Sequence, residues 1–289
     1  MNDVPGVCIM IPTYNQAAYI CKAVESALAQ DYGNIEIVIA DDGSTDNTAQ
    51  LLQIFINNPL IKYRKNAANI GRVANYRKCL HDYTKAPWVI NLDGDDYFTN
   101  THFISEAMRA IQTSGTNDIL FYQGVNIVKF GGKEKLIMPN IDVEEDCITS
   151  KDYFFNFFKR NSFSHMSTLY NRRAAIENNF YETDIISTDI FSFLKLCVNN
   201  SDKKVIVSKN VSGVWYQHNA NTSKTLRIKN HLNNWHLYTK LYVLAIAKGH
   251  NKWQCLKWLM KSGFIYARSY FYSLLKTKKI TGIVQQLLF

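Results

Sequence analysis

The chain has 289 residues, 47% of them hydrophobic and 13% aromatic, which is enough for a sizeable core in one large domain or a domain with an appendage. Its 33 Lys and Arg against 24 Asp and Glu leave a net charge of +9. Six cysteines with no CxxC pair and no histidines at zinc spacing argue against a disulfide framework and a zinc site, and neither a signal peptide nor a run of about 18 apolar residues is present.

The charge is unevenly spread. Asp202 is the last acidic residue: from Lys203 to Phe289 there are 15 Lys and Arg and no Asp or Glu, whereas residues 1–202 hold 18 bases and 24 acids. Such asymmetry implies two surfaces with different partners.

In chain order, VCIMI (7–11), IEIVIA (35–40) and WVINL (88–92) are nearly continuous apolar runs, as strands covered on both faces are. Between them, Ile20, Val24, Ala27 and Leu28 fall at helical spacing within 18–30, Asp46 is placed to cap a helix through Phe55, and a helix over 73–83 follows Gly71. Alternating strands and helices predict a mostly parallel sheet with right-handed crossovers. Ligands of such sheets bind beyond the carboxyl ends of the strands. That rule selects PTYN (12–15), DDGSTD (41–46) and LDGDD (92–96). Further on, 118–130 reads as a strand or hairpin, and 151–159 and 188–198 as helices. No proline follows Pro139, which suits a helical C-terminal part. There Leu256, Leu259, Met260, Gly263, Ala267, Tyr270 and Leu274 share one side of a helical wheel, with Lys257, Lys261 and Arg268 on another.

Asp93, Asp95 and Asp96 crowd one strand end, and their repulsion is relieved by a hard divalent ion such as Mg²⁺ or Mn²⁺, which keeps positions open for phosphate oxygens. Alone, a DxD is more simply an acidic turn before a helix cap at Asn100 or Thr101. Its company changes that reading: Asp41 and Asp42 with Gly43, Ser44 and Thr45 suit a nucleoside's polar edges, and Tyr14 offers a ring for stacking. Neither GxGxxG nor GxxxxGK[ST] occurs, which argues against dinucleotide and P-loop sites.

The sequence resembles the family 2 glycosyltransferases, inverting enzymes of the GT-A fold. VCIMIPTYN is similar to their opening strand and loop, IEIVIADDGSTDNT to their DDGSxDxT segment, NIGRVAN (69–75) to their NxG segment and VINLDGDDYF to their metal-binding DxD. ISTDIFSFLKL (186–196) looks like the stretch carrying the family's catalytic carboxylate, with Thr188 where Glu is usual, and VWYQHNANTS (214–223) like its YxxHxxxxS region. The resemblance implies an α/β GT-A domain over 1–225, with a nucleotide-binding half to about residue 100 and an acceptor half beyond it, followed by a basic helical segment over 226–289. It implies roles for residues too: Pro12, Thr13, Tyr14, Asp41, Asp42, Arg72, Asp93 and Gly94 for the nucleotide, Asp95 with His218 for the metal or a phosphate, and Asp189 as base, with Asp184 the nearest substitute.

The reaction this predicts is transfer of a sugar from a nucleotide donor, UDP by family habit, to a saccharide acceptor, with polyprenyl-diphosphate-linked, protein and free glycan acceptors all open. A phosphatase or phosphotransferase with an aspartyl nucleophile is the enzymatic rival, but its motif belongs after the first strand. The basic tail carries a third reading, a non-catalytic binding module. Trp235, Trp253 and Trp258 among its bases suit an anionic membrane surface, a partner chain would bury the same aromatic face in an oligomer, and no nucleic-acid module is recognisable. Together these predict a cytoplasmic enzyme held peripherally at the inner face of the plasma membrane.

Overall fold

The structure, a computed structural model, describes residues 4–160, 163–218 and 228–276, without the side chains of 160, 228–234, 266 and 268–276. The end of the YxxHxxxxS-like segment, 219–223, and the expected domain boundary at 225 lie outside the described residues, as do the side chains of Arg268, Tyr270 and Leu274. By contacts the chain forms two compact units, Met1–Asn221 and Thr222–Phe289.

The first unit opens with the alternation read from sequence: β1 (Val7–Thr13), α1 (Ile20–Leu28), β2 (Ile35–Asp41), α2 (Thr48–Leu51), β3 (Ile61–Lys65), α3 (Arg72–Lys78) and β4 (Trp88–Asn91). β1 is buried along its whole length because it lies between β2 and β4, parallel to both, with Val7 opposite Ile35 and Trp88. β3 pairs parallel outside β2. All four strands therefore run the same way, and the three acidic or aromatic loops emerge from one edge of the sheet. α1 turns Ile20, Ala23, Val24 and Ala27 inward. These join Ile9, Ile11, Ile37, Trp88 and Phe103 in the core, where each large apolar side chain contributes about 1.5–3 kcal/mol.

Beyond β4 come β5 (Tyr97–Phe98), α4 (Phe103–Ser114), β6 (Ile119–Phe130), β7 (Lys133–Leu136), β8 (Glu145–Thr149), α5 (Ser150–Arg160), β9 (Thr168–Asn171), α6 (Arg172–Glu177), α7 (Thr188–Asn199) and β10 (Lys204–Gln217). The sheet runs β3-β2-β1-β4-β9-β6-β10-β5, with β7 beside β6 and β8 beside β10. β9 is antiparallel to both β4 and β6, and β6 and β10 are parallel. The expected parallel sheet is thus parallel in its first half and mixed in its second. The edge strand β7 is antiparallel to β6 for a local reason, since Gly131 and Gly132 between them have φ of 55° and 78°. Two consecutive left-handed residues make the tight turn of an antiparallel hairpin.

β5 is short, but it holds the acidic turn against β10 through Phe98 opposite Gly213 and Tyr97 opposite Val214. A Cβ on Gly213 would run into the backbone carbonyl of Tyr97 and the Cα of Phe98. Gly213→Ala is expected to cost roughly 1–3 kcal/mol, the usual range for overpacking, and to displace the acidic turn. Chemical denaturation with a nucleotide titration would show both losses; unchanged stability would mean that β5 yields freely.

In the second unit α8 (Ile228–Ala247) and α9 (Lys252–Lys276) are joined through Gly249. α8 buries Leu237, Tyr238, Leu241 and Ala245, and α9 buries Cys255, Trp258 and Ser262. The Tyr238 and Trp258 rings lie 5.6 Å apart. Of the wheel expected from sequence, Gly263 lies against the Trp235 ring of α8, whereas Met260 is turned out and 67% exposed. Among the described residues no helix is long and apolar enough to cross a membrane.

Candidate active site

The loops after β1 and β2 are laced together by their own polar groups. Asn15, at φ 51°, donates its N–H to Ser44 Oγ at 2.9 Å and accepts from Thr45 N at 2.8 Å. Gln16 N donates to Thr48 Oγ1 and Ala17 N to Asp46 Oδ2. The rim is therefore rigid, and Tyr14 stands out from it, 43% exposed. Pro12 O accepts from Gly94 N at 3.1 Å, and a Cβ on Gly94 would crowd Thr13 Oγ1 at 2.8 Å. Pro12, Thr13 and Gly94 thus form one contact between the first loop and the acidic turn.

Asp41 and Asp42, adjacent in sequence, have different duties. Asp41 accepts from Ser44 N and from the Tyr63 hydroxyl, both at 2.8 Å; burial and the carboxylate push that phenol far up from its ordinary value. Asp42 spends both oxygens on the NIG loop: Oδ1 accepts from Asn66 Nδ2 and Ile70 N at 2.9 Å, and Oδ2 from Gly71 N at 3.0 Å. The structure therefore shows Asp42 as the residue that shapes this loop ahead of α3. Arg72, the first residue of α3, lies over the Tyr76 ring at 5.3 Å and donates to the carbonyls of Ile185 and Ile186.

The acidic turn forms the floor. Asp93 Oδ1 accepts from the Tyr76 hydroxyl at 2.6 Å, and its Oδ2 lies 3.3 Å from His165 Nε2. The other ring nitrogen of His165 lies 3.4 Å from Asp189 Oδ2, an ion-pair contact without hydrogen-bond alignment. Asp189 sits in the first turn of α7, where its Oδ1 accepts from Ile190 N at 2.8 Å. One imidazole thus bridges the first acid of the turn and the carboxylate at the head of α7. Burial alone would lower the His165 pKa, but Asp93 and Asp189 raise it well above the usual value. In return, against the upward pull of burial, His165 holds both carboxyls below the ordinary range.

Asp95 Oδ2 is 2.9 Å from His218 Nε2, whose ring stacks on Tyr19 at 4.8 Å. Asp96 Oδ1 accepts from Tyr216 N at 2.8 Å. Burial and then the Asp93 charge raise the Asp95 carboxyl, while burial, Asp95 and Asp93 push Asp96 well up. This strain is what a divalent cation relieves, so the residues fit one. Asp93, Asp96 and His165 also bring ligand atoms within 4.8 Å of one another, a second place for an ion beside the Asp95–His218 pair.

The sites expected from sequence therefore converge: Asp93, Asp95, Asp189, His218 and Arg72 belong to one connected cluster, with Tyr14 and Asp41 on the adjoining rim. Sequence reasoning missed His165, Tyr76, Tyr63 and Asn66. The segment NSFSHMS around His165 carries no spacing that marks it; only the turn preceding β9 brings it to the acids.

A family model described as glycosyl transferase family 2 matches residues 8–178, which is more than half of the chain. The chain belongs to this family. Membership counts against the aspartyl-phosphatase rival. Among its relatives are the hyaluronan synthase of Pasteurella multocida, 38% identical over 98 residues, 34% of this chain and 10% of that protein. Another is the UDP-Glc:alpha-D-GlcNAc-diphosphoundecaprenol beta-1,3-glucosyltransferase WfaP of Escherichia coli, 36% identical over 107 residues, 37% of this chain and 41% of that one. The chain thus spans less than half the length of either relative. Staphylococcus aureus TarS 1-349 in complex with UDP-GlcNAc superposes with a TM-score of 0.72 at 17% identity, over 88% of this chain and 70% of that one. The mannosyltransferase PcManGT of Pyrobaculum calidifontis, in complex with GDP-Man and Mn²⁺, gives 0.60 at 15%, over 98% and 81%. At these identities the likeness shows the GT-A fold alone.

Proposed function

We propose that this family 2 glycosyltransferase is a metal-dependent, inverting enzyme that moves a sugar from a UDP-sugar to a saccharide carried on a polyprenyl diphosphate, in assembly of a bacterial polysaccharide or glycan. The observation that carries the reading is the bridge from Asp93 through His165 to Asp189, at 3.3 and 3.4 Å, which puts the acids of the turn beside a buried carboxylate on a helix end. The catalytic domain is 1–225, and the basic segment 226–289 keeps it at the inner face of the plasma membrane.

In this reading Tyr14 stacks on the base, Asp41 and Arg72 flank it, and the Pro12–Thr13–Gly94 contact shapes the floor under the diphosphate. Asp93 meets the ribose, and Asp95 with His218 holds Mn²⁺ or Mg²⁺. Bound there, the ion supplies neutralisation of the charge that grows on the leaving diphosphate. Asp189, ionised because His165 and Arg72 hold its proton affinity down, removes the acceptor hydroxyl proton as that oxygen bonds to the anomeric carbon from the face opposite the leaving group. The anomeric configuration therefore inverts. The donors in the two superposed complexes, UDP-GlcNAc and GDP-Man, and the lipid-linked acceptor in the name of WfaP support the choice of substrates.

A thermal-shift screen of UDP- and GDP-sugars with and without Mn²⁺ tests it. Ligand at about 100 times its Kd adds roughly 2.7 kcal/mol to the native state, so a UDP-sugar with Mn²⁺ is expected to raise Tm by several degrees, and neither Mn²⁺ nor a GDP-sugar to match it. A flat response to every nucleotide would end the proposal.

A further inference from the structure

The second unit has a surface that its own packing does not account for. On α9 the residues Trp253, Met260 and Phe264 are 73%, 67% and 71% exposed. At about 100° per residue they lie within roughly 40° of arc, with Lys257 beside them at about 40° from Trp253 and Lys261 at about 80°. The line that packs on α8, through Cys255, Trp258 and Ser262, is on the opposite side. α9 is therefore apolar on two faces, one buried in the hairpin and one open, and the open face has a basic flank.

We infer that the Trp253–Met260–Phe264 face of α9 docks into the interface of an anionic phospholipid membrane, with Lys257 and Lys261 against the headgroups. Charge complementarity selects this occupant: residues 222–289 contain 12 Lys and Arg and no Asp or Glu. A second copy stacked face to face through a two-fold axis would set these lysines near their own equivalents with no acid between them. Nucleic acid would meet three large apolar side chains where it needs donors. A lipid interface takes both parts, since Trp and Phe settle at the level where acyl chains begin and lysine stems reach outward to phosphate. No helix among the described residues crosses a bilayer, so the attachment is peripheral. The inference deepens the proposed use of a lipid-linked acceptor, and rests on that reading only for its purpose.

The test is flotation of the full chain with vesicles of phosphatidylglycerol and phosphatidylcholine, compared with phosphatidylcholine alone. The wild type is expected to float with the anionic vesicles and to be released by salt. The triple variant Trp253→Ser, Met260→Ser, Phe264→Ser is expected to lose vesicle binding by roughly tenfold or more with its melting temperature and its nucleotide-induced shift unchanged, because none of the three is buried. Lys257→Glu with Lys261→Glu is expected to weaken binding and flatten its salt dependence. Equal flotation of wild type and triple variant, no preference for anionic lipid, or a wild-type dimer in light scattering that the triple variant dissociates would each overturn the inference. The assay reads no sugar transfer, so a failed nucleotide screen leaves its outcome interpretable.

Discussion

Asp189→Asn is expected to lower kcat by roughly 10²–10⁴, the usual worth of a positioned base, while nucleotide affinity stays near that of the wild type. The asparagine keeps the shape of the side chain and still accepts from Ile190 N, a bond of 2.8 Å in the native protein. What it loses is the charge that can take a proton. Its melting curve needs measuring beside the kinetics, because His165 then loses one of the two carboxylates it bridges, Asp93 and Asp189. A purified Asp189→Asn enzyme that turns over normally, with its fold intact, would move the base elsewhere, first to Asp184.

Asp95→Ala is expected to abolish metal-dependent transfer and to erase the Mn²⁺ contribution to the nucleotide-induced rise in Tm. The carboxylate is only 10% exposed and pairs with His218, so its removal strips the site of a ligand and takes from the imidazole its carboxylate partner. Stability in the absence of ligand should change little or even improve, since Asp95 is one of the charges that push Asp96 upward. The informative contrary result is a Mn²⁺ effect that survives in Asp95→Ala: the ion would then sit with Asp93, Asp96 and His165, the other group within 4.8 Å.

What could be read in advance follows from how local each signal is. β1, β2 and β4 announce themselves because strands covered on both faces are apolar without interruption, and the strand-end rule then locates the three loops before any contact is known. The stretch 118–130, which reads as a strand or a hairpin, is a single strand, Ile119–Phe130, and the turn falls just beyond it at Gly131 and Gly132. Residues whose duty depends on a distant partner were not legible. His165 looks like any polar-loop histidine until β9 inserts beside β4. Asp42 reads as a ligand contact by its neighbour's company, yet both its oxygens are taken by Asn66, Ile70 and Gly71. The α9 face was legible only in part for a related reason: periodicity finds an apolar stripe but cannot say which of its members the hairpin partner will cover, and here Gly263 lies against Trp235 while Met260 is turned out.

The acidic turn is anchored from far along the polypeptide: Asp96 accepts from Tyr216, 120 positions later, and Asp95 meets His218, 123 positions later. A nascent chain released from the ribosome just past Asn100 would carry every aspartate of the donor half and none of the strand that orients them. Loop closure over such distances is slow, so donor affinity should emerge only once translation has passed β10, and shorter fragments, however soluble, should remain blind to the nucleotide.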